Sequence, residues 1–310
     1  MTASLDAPTV TLGTGPCPIR TVDLSKSYGR RSETFVLRDC TLEIPQGAIV
    51  GLVGENGSGK TTLLQCLVGL LAPTRGQAQL MGVEATQLPA EIKSRIGYVP
   101  QSTQLPPWLT VRQTVDYFGS FYGAWDAGLV SHLIERWRLP EDKKVGVLSG
   151  GQQQLASIIV ALAHRPELLI LDEPVAALDP KARRDFLTLL HELGEQATDA
   201  GRSQTVLFST HLLSDLERTA THVALLKNGH VAVMEELSDL KESIAKLRIT
   251  ASQPLPQPPL SSISVQHAGQ TIVATVTGAM LPHWEAWAEE HDAVVLSTPL
   301  SLEDLFVELG

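Results

Sequence analysis

Gly54-Glu55-Asn56-Gly57-Ser58-Gly59-Lys60-Thr61 follows the apolar run Ala48-Ile-Val-Gly-Leu-Val53, and residues from Lys60 to Leu71 then take helical spacing. The order is strand, glycine-rich loop, helix. The loop has the spacing G-x-x-x-x-G-K-[ST], in which glycines let backbone N–H groups curl around phosphates at a helix N-terminus, where the helix dipole favours negative charge. Lys60 is expected to meet the β- and γ-phosphates of a nucleotide, and the Thr61 hydroxyl, with Thr62 beside it, to lie at a bound Mg²⁺.

Further along, Leu168-Leu-Ile-Leu-Asp172-Glu173-Pro174 is an apolar strand that presents two adjacent carboxylates at its exit. One carboxylate can hold a metal while the next polarises an attacking water, so Asp172 is expected at the Mg²⁺ and Glu173 as general base. Leu148-Ser149-Gly150-Gly151-Gln152 opens a helix running to Ala163 and stands upstream of Asp172. A serine and two glycines at a helix N-terminus make a second phosphate cradle. One chain therefore carries two half-sites.

Taken together, the phosphate loop, the Leu148–Gln152 sequence and the Asp172–Glu173 strand resemble ATP-binding cassette (ABC) ATPases from about Ile19 to Leu240. That resemblance implies a P-loop NTPase cassette of the α/β class: a RecA-like core, an antiparallel β subdomain and a helical subdomain over about 101–160. It also implies a head-to-tail dimer in which the Ser149–Gln152 signature of one subunit closes over ATP held by the phosphate loop of the other. By the same match, Tyr28 stacks on adenine, Gln101 ligates Mg²⁺, Asp179 communicates across the dimer and His211 contacts the γ-phosphate. The expected catalytic set is Lys60, Glu173 and His211. Nucleotide contacts fall to Tyr28, Gly54, Glu55, Asn56, Gly57, Ser58, Gly59, Lys60, Thr61, Thr62, Gln101, Ser149, Gly150, Gly151, Gln152 and Asp179, and metal contacts to Thr61, Gln101 and Asp172. Leu155 and Val175-Ala-Ala177 depart from the family pattern and are expected to tune contacts between domains.

Composition bounds the role. The 310 residues are 43% hydrophobic and 19% charged, which is ordinary globular usage with room for about two domains. A net charge of −10 speaks against nucleic acid or an anionic membrane surface as an electrostatic partner. From Ile249 to Gly310 there is no Lys or Arg, while Glu285, Glu289, Glu290, Asp292, Glu303, Asp304 and Glu308 hold seven of the ten net charges. Cys17, Cys40 and Cys66 have neither the number nor the spacing of a disulfide framework or zinc site. The longest mainly apolar stretch, Leu155–Ala163, is about half of what a membrane-spanning helix needs.

The expected domains are a loose tail over 1–18, the cassette over 19–247 and a small acidic α+β appendage over 248–310. Strands flank a turn at Arg30–Glu33, a helix ends near Leu247, and Gln253–Pro259 reads as a spacer or irregular edge. Tyr117, Phe118, Phe121, Tyr122 and Trp125 have the spacing of one helix face and read mainly as the core of the helical subdomain. The resemblance implies a Mg²⁺-dependent ATP hydrolase, peripheral at the cytoplasmic face of a cell membrane, whose partners are integral membrane permease subunits and a second ABC ATPase, identical or different. The ending Pro299–Leu309 resembles that of ATPase subunits of bacterial ABC-2 type exporters, which implies export of a drug, peptide or lipid-like substrate. The alternatives are a soluble ABC ATPase that remodels a non-membrane complex, and an importer ATPase.

Overall fold

Strands β1 (Ile19–Ser27) and β2 (Phe35–Ile44) pair antiparallel, and the order β2-β1-β4-β5 is completed by β4 (Arg75–Leu80) and β5 (Val83–Glu84). The computed structural model describes residues 17–28, 35–195, 204–258, 261–299 and 302. Most of the expected tail, the Arg30–Glu33 turn and all of the Pro299–Leu309 ending except Pro299 and Leu302 lie outside them.

A second sheet of order β10-β9-β3-β8-β7-β6 forms the centre. Its members are β3 (Ile49–Val53), β6 (Ile96–Val99), β7 (Leu168–Leu171), β8 (Thr205–Thr210), β9 (His222–Lys227) and β10 (His230–Glu236). Strands β6, β7, β8, β3 and β9 run parallel. Being covered on both faces, β3, β7 and β8 are buried at every residue, which is why they read as unbroken apolar runs. β9 turns into β10 through Asn228 and Gly229, both at positive φ, the two-residue hairpin that an Asn-Gly pair favours.

Helix α1 (Lys60–Leu67) follows β3, and α2 (Ala90–Lys93) precedes β6. α1 is shorter than the spacing to Leu71 predicts. Gly69 turns to φ +73°, and any Cβ there would fall 2.1 Å from the Ala85 carbonyl oxygen, so the chain must leave the helix. Between β6 and β7 stand α3 (Val111–Gly119), α4 (Ala127–Arg136) and α5 (Gly150–Leu162), the helical subdomain. The aromatic series does not share one helix. α3 stops at Gly119, where Trp125 packs across the missing side chain. Tyr122 and Trp125 stack inward, Tyr122 on His164 at 4.2 Å, whereas Tyr117 and Phe121 meet edge-to-face on the surface and Trp108 is also exposed. Leu155 is buried along α5, and in the Val175–Ala177 stretch Val175 is buried while Ala176 and Ala177 face solvent.

α6 (Pro180–Glu195) precedes β8 and α7 (Leu213–Thr219) follows it. The chain divides into two compact units, Met1–Met234 and Glu235–Gly310, earlier than the expected boundary at 247/248. The helix expected to end near Leu247 is α8 (Leu237–Glu242), followed by β11 (Ile244–Thr250). β11 is an inner strand of the second unit's antiparallel sheet, β12-β13-β11-β14, with β12 (Ser264–Ala268), β13 (Thr271–Thr277) and β14 (Val294–Pro299). α9 (Leu281–Glu290) buries Trp284 and Trp287 against Leu247, Ile249, Ile272, Ala274 and Val276. The segment after β11 is an irregular edge and not a free spacer: Leu255 is buried in the same core, and its N–H donates to the Gly269 carbonyl.

Candidate functional site

Four neighbouring parallel strands end together, each delivering one part of the site. β3 runs into the phosphate loop, β8 ends before His211, β7 before Asp172 and Glu173, and β6 before Pro100 and Gln101. Their registers align these exits: Val53 pairs with Thr210, Leu171 with Phe208, and Val99 with Leu171. Ligands of parallel α/β sheets sit beyond the carboxyl ends of the strands.

Within the loop, Gly59 caps α1 from the left-handed region at φ +107°, and Gly54 leaves no space for a side chain, since a Cβ would lie 2.3 Å from the Leu226 carbonyl oxygen. Lys60 is buried and its Nζ donates to the carbonyls of Gly54 (2.7 Å) and Glu55 (3.0 Å), across the mouth of its own loop. Burial pushes its ammonium below the usual lysine range, and the carboxylates of Glu173 and Asp172 partly oppose that shift. The Ser58 hydroxyl is buried without a partner. Tyr28 leaves β1 with an exposed ring, its hydroxyl 3.3 Å from Thr62 Oγ1 in the first turn of α1, beneath the Lys26 ammonium.

The carboxylate pair is built around a residue that motif reading passed over. Ser209 donates its hydroxyl to Asp172 Oδ1 (2.7 Å) and accepts the Glu173 backbone N–H (2.8 Å). Its only sequence signal is a small polar residue inside an apolar strand run. Asp172 is 0% exposed and its Oδ2 has no partner. A buried carboxylate oxygen left bare is costly unless a cation or water meets it, and with the Thr61 hydroxyl and exposed Gln101 it fits a Mg²⁺ that keeps substrate phosphates and waters as its other ligands. Glu173 sits at φ +47°, a conformation costing a non-glycine residue of order 1–3 kcal/mol, and its Oε2 lies 2.9 Å from His211 Nδ1. Tyr98 is half-buried, and this desolvation together with the Asp172 charge pushes its phenol up to about 12.

Ser149 caps α5 in a reciprocal capping box with Gln152: the Gln152 N–H donates to Ser149 Oγ and the Ser149 N–H to Gln152 Oε1. Gln152 is thereby committed to the cap. Ser149 and Gly150 face solvent, while Gly151 backs onto the Ala177 carbonyl, where a Cβ would stand 2.6 Å away. Asp179 takes the cap of α6, its Oδ1 accepting from the N–H groups of Lys181 and Ala182.

Over residues 37–176 the chain matches the ABC transporter family. It is 36% identical over 224 residues to the ABC transporter ATP-binding protein YxlF of Bacillus subtilis, covering 71% of each chain. With the bacitracin transport ATP-binding protein BcrA of Bacillus licheniformis it shares 34% over 221 residues, 71% of this chain and 69% of that one. With a Nod factor export ATP-binding protein I of Paraburkholderia xenovorans the match is 30% over 297 residues, 92% and 94% of the two. Among solved structures, the dimeric ATP-binding cassette MJ0796 in a post-hydrolysis state with ADP and Pi superposes with a TM-score of 0.62 at 29% identity, over 71% of this chain and 98% of that one. Two adjacent carboxylates beyond a glycine-lined phosphate loop, carried on this sheet order and matched at this identity, lead to one conclusion: the chain belongs to the ABC transporter family, as an ATP-binding subunit and ATP hydrolase.

Proposed function

We propose that this chain powers an exporter, hydrolysing ATP between two cassettes and passing the resulting opening and closing to separate integral membrane permease subunits at the cytoplasmic face of the membrane. The observation that carries the two-cassette reading is the solvent-facing N-terminus of α5, a phosphate cradle presented away from its own chain by Ser149 and Gly150. A second copy of the chain, or a related one, supplies the partner half of each site. The named relatives that serve bacitracin transport and Nod factor export support export of a drug, peptide or lipid-like substrate, and the Nod factor relative matches almost the whole chain, second unit included. Among the described residues no helix is long and apolar enough to cross a membrane, which accords with separate membrane subunits. Exposed Trp108, Tyr117, Phe121 and Val147, all in the helical subdomain, offer those subunits an apolar docking surface.

In this reading Tyr28 stacks on adenine, and the phosphate loop from Gly54 to Thr62 wraps the phosphates with its N–H groups. Lys60 exchanges its two loop carbonyls for the β- and γ-phosphates. Asp172 through Oδ2, the Thr61 hydroxyl and Gln101 would hold Mg²⁺, which when bound neutralises charge developing on the phosphate oxygens. Glu173 accepts a proton from the attacking water as the bond from the γ-phosphorus to the ADP oxygen breaks. His211 orients that carboxylate from one side and reaches the γ-phosphate. Asp179, at the head of α6, carries the state of one site to the other.

Purification from native membrane in mild detergent tests the proposal. The chain should bring down a multi-helix integral membrane protein together with ATPase activity, and its reproducible absence would point to a soluble remodelling ATPase.

A further inference from the structure

We infer that the ion pair between half-buried Arg183 and buried Asp215 is a positioning device that fixes His211 and ties it to the Asp179 loop; this rests on the role of His211 proposed above. His211 cannot be held by its own packing, because its side chain is 46% exposed and, among the described residues, its hydrogen bond goes to Glu173. Its place is set by the chain on either side. Upstream lies β8 with Ser209. Downstream, α7 begins two residues later and is clamped twice in its first turns.

One clamp is steric: Leu216 sits on β3 where Gly51 leaves room, since a Cβ at residue 51 would fall 1.7 Å from Leu216 Cδ2. The other is ionic: Arg183 Nε and Nη2 both donate to Asp215 Oδ1, at 2.8 and 2.5 Å. Arg183 belongs to the first turn of α6, and its own N–H donates to the carbonyl of Asp179. The pair thus spans from the Asp179 cap to the turn that carries His211.

The form of the pair argues for placement over stability. Asp215 is 3% exposed and its Oδ2 has no partner, so the charge is desolvated with only half its acceptor capacity used. A pair with one buried and one half-buried member contributes little beyond what apolar residues of similar size would, yet it fixes direction, because two guanidinium donors converge on one oxygen.

Arg183→Met, and the paired replacement Arg183→Met with Asp215→Leu that leaves no lone buried charge, test the inference on the full chain. Each should bind ATP with a KM within about twofold of wild type while kcat falls about tenfold or more. Imidazole nitrogen NMR of the nucleotide-free protein should show His211 as the Nδ1–H form in the wild type, as its bond to a carboxylate requires, and as a mixture of tautomers in the variants. An unchanged kcat, an unchanged His211 spectrum, or failure of the paired variant to fold would overturn it, the last by making the pair a stability element. Wild-type turnover in His211→Ala would instead overturn the reading of the site itself.

Discussion

His211 Nδ1 and Glu173 Oε2 stand 2.9 Å apart, and Glu173 reaches that bond from backbone turned to φ +47°. A carboxylate only accepts, so the imidazole must donate from Nδ1. His211→Ala should therefore reduce kcat about a hundredfold while ATP affinity stays within a few-fold, as steady-state kinetics with a binding titration would measure. Equal losses in both would make His211 a binding residue.

Ser209→Ala removes the hydroxyl that serves Asp172 Oδ1 and the Glu173 N–H together. Both would be left buried and unsatisfied, a loss of about 1–3 kcal/mol of stability in denaturant unfolding. Turnover should fall as well, because the two carboxylates lose their common anchor. Ser209→Thr keeps the hydroxyl and should recover part of it.

His164 gives the first unit a pH signature. Its Nε2 lies 3.2 Å from the Ile96 carbonyl oxygen and its ring stacks on Tyr122, with burial holding the imidazole below its ordinary 6.5. Between the lowered value and 6.5 the unfolded chain binds a proton that the folded chain refuses, so protonation favours unfolding. This part of the stability is full above 6.5 and is lost as the pH falls below it, by at most about 1.4 kcal/mol per pH unit. Unfolding midpoints measured across that range should fall less steeply in His164→Phe than in the wild type.

Trp284 is fully buried in the core of the second unit, where its indole N–H donates to the Ser261 carbonyl at 3.1 Å. Trp284→Ala should cost about 3–5 kcal/mol and unfold Glu235–Gly310 first. ATP binding should persist, because every candidate site residue lies in the first unit. Limited proteolysis and an ATP titration on the same sample would check both halves.

How far these features could be read from sequence depended on whether local pattern and tertiary environment agreed. β7 and the phosphate loop were legible because a strand buried on both faces must be apolar throughout, and because a phosphate cradle restricts its residues at fixed spacing. β11 was not. Leu237, Leu240, Ile244 and Leu247 fall at helical intervals, yet only the first two are in a helix; pairing with β13 and β14 overrides the pattern. The aromatic series failed the same way, since spacing alone could not show that α3 would stop at Gly119 and send Phe121 and Tyr122 to opposite environments. Ser209, Arg183 and Asp215 were missed because their importance lies in partners about 30 or more residues distant, and no motif at fixed spacing encodes such a pairing.

In the proposed mechanism Glu173 is the general base of a site closed by the Ser149 cradle of a second cassette. Size-exclusion chromatography of Glu173→Gln with ATP, alone and combined with Ser149→Arg, tests it most directly, alongside turnover. Glu173→Gln should bind ATP, lose about a hundredfold or more in turnover and elute as a nucleotide-trapped dimer, and adding Ser149→Arg should return it to an ATP-bound monomer. Wild-type turnover in Glu173→Gln, or a dimer indifferent to Ser149→Arg, would contradict it.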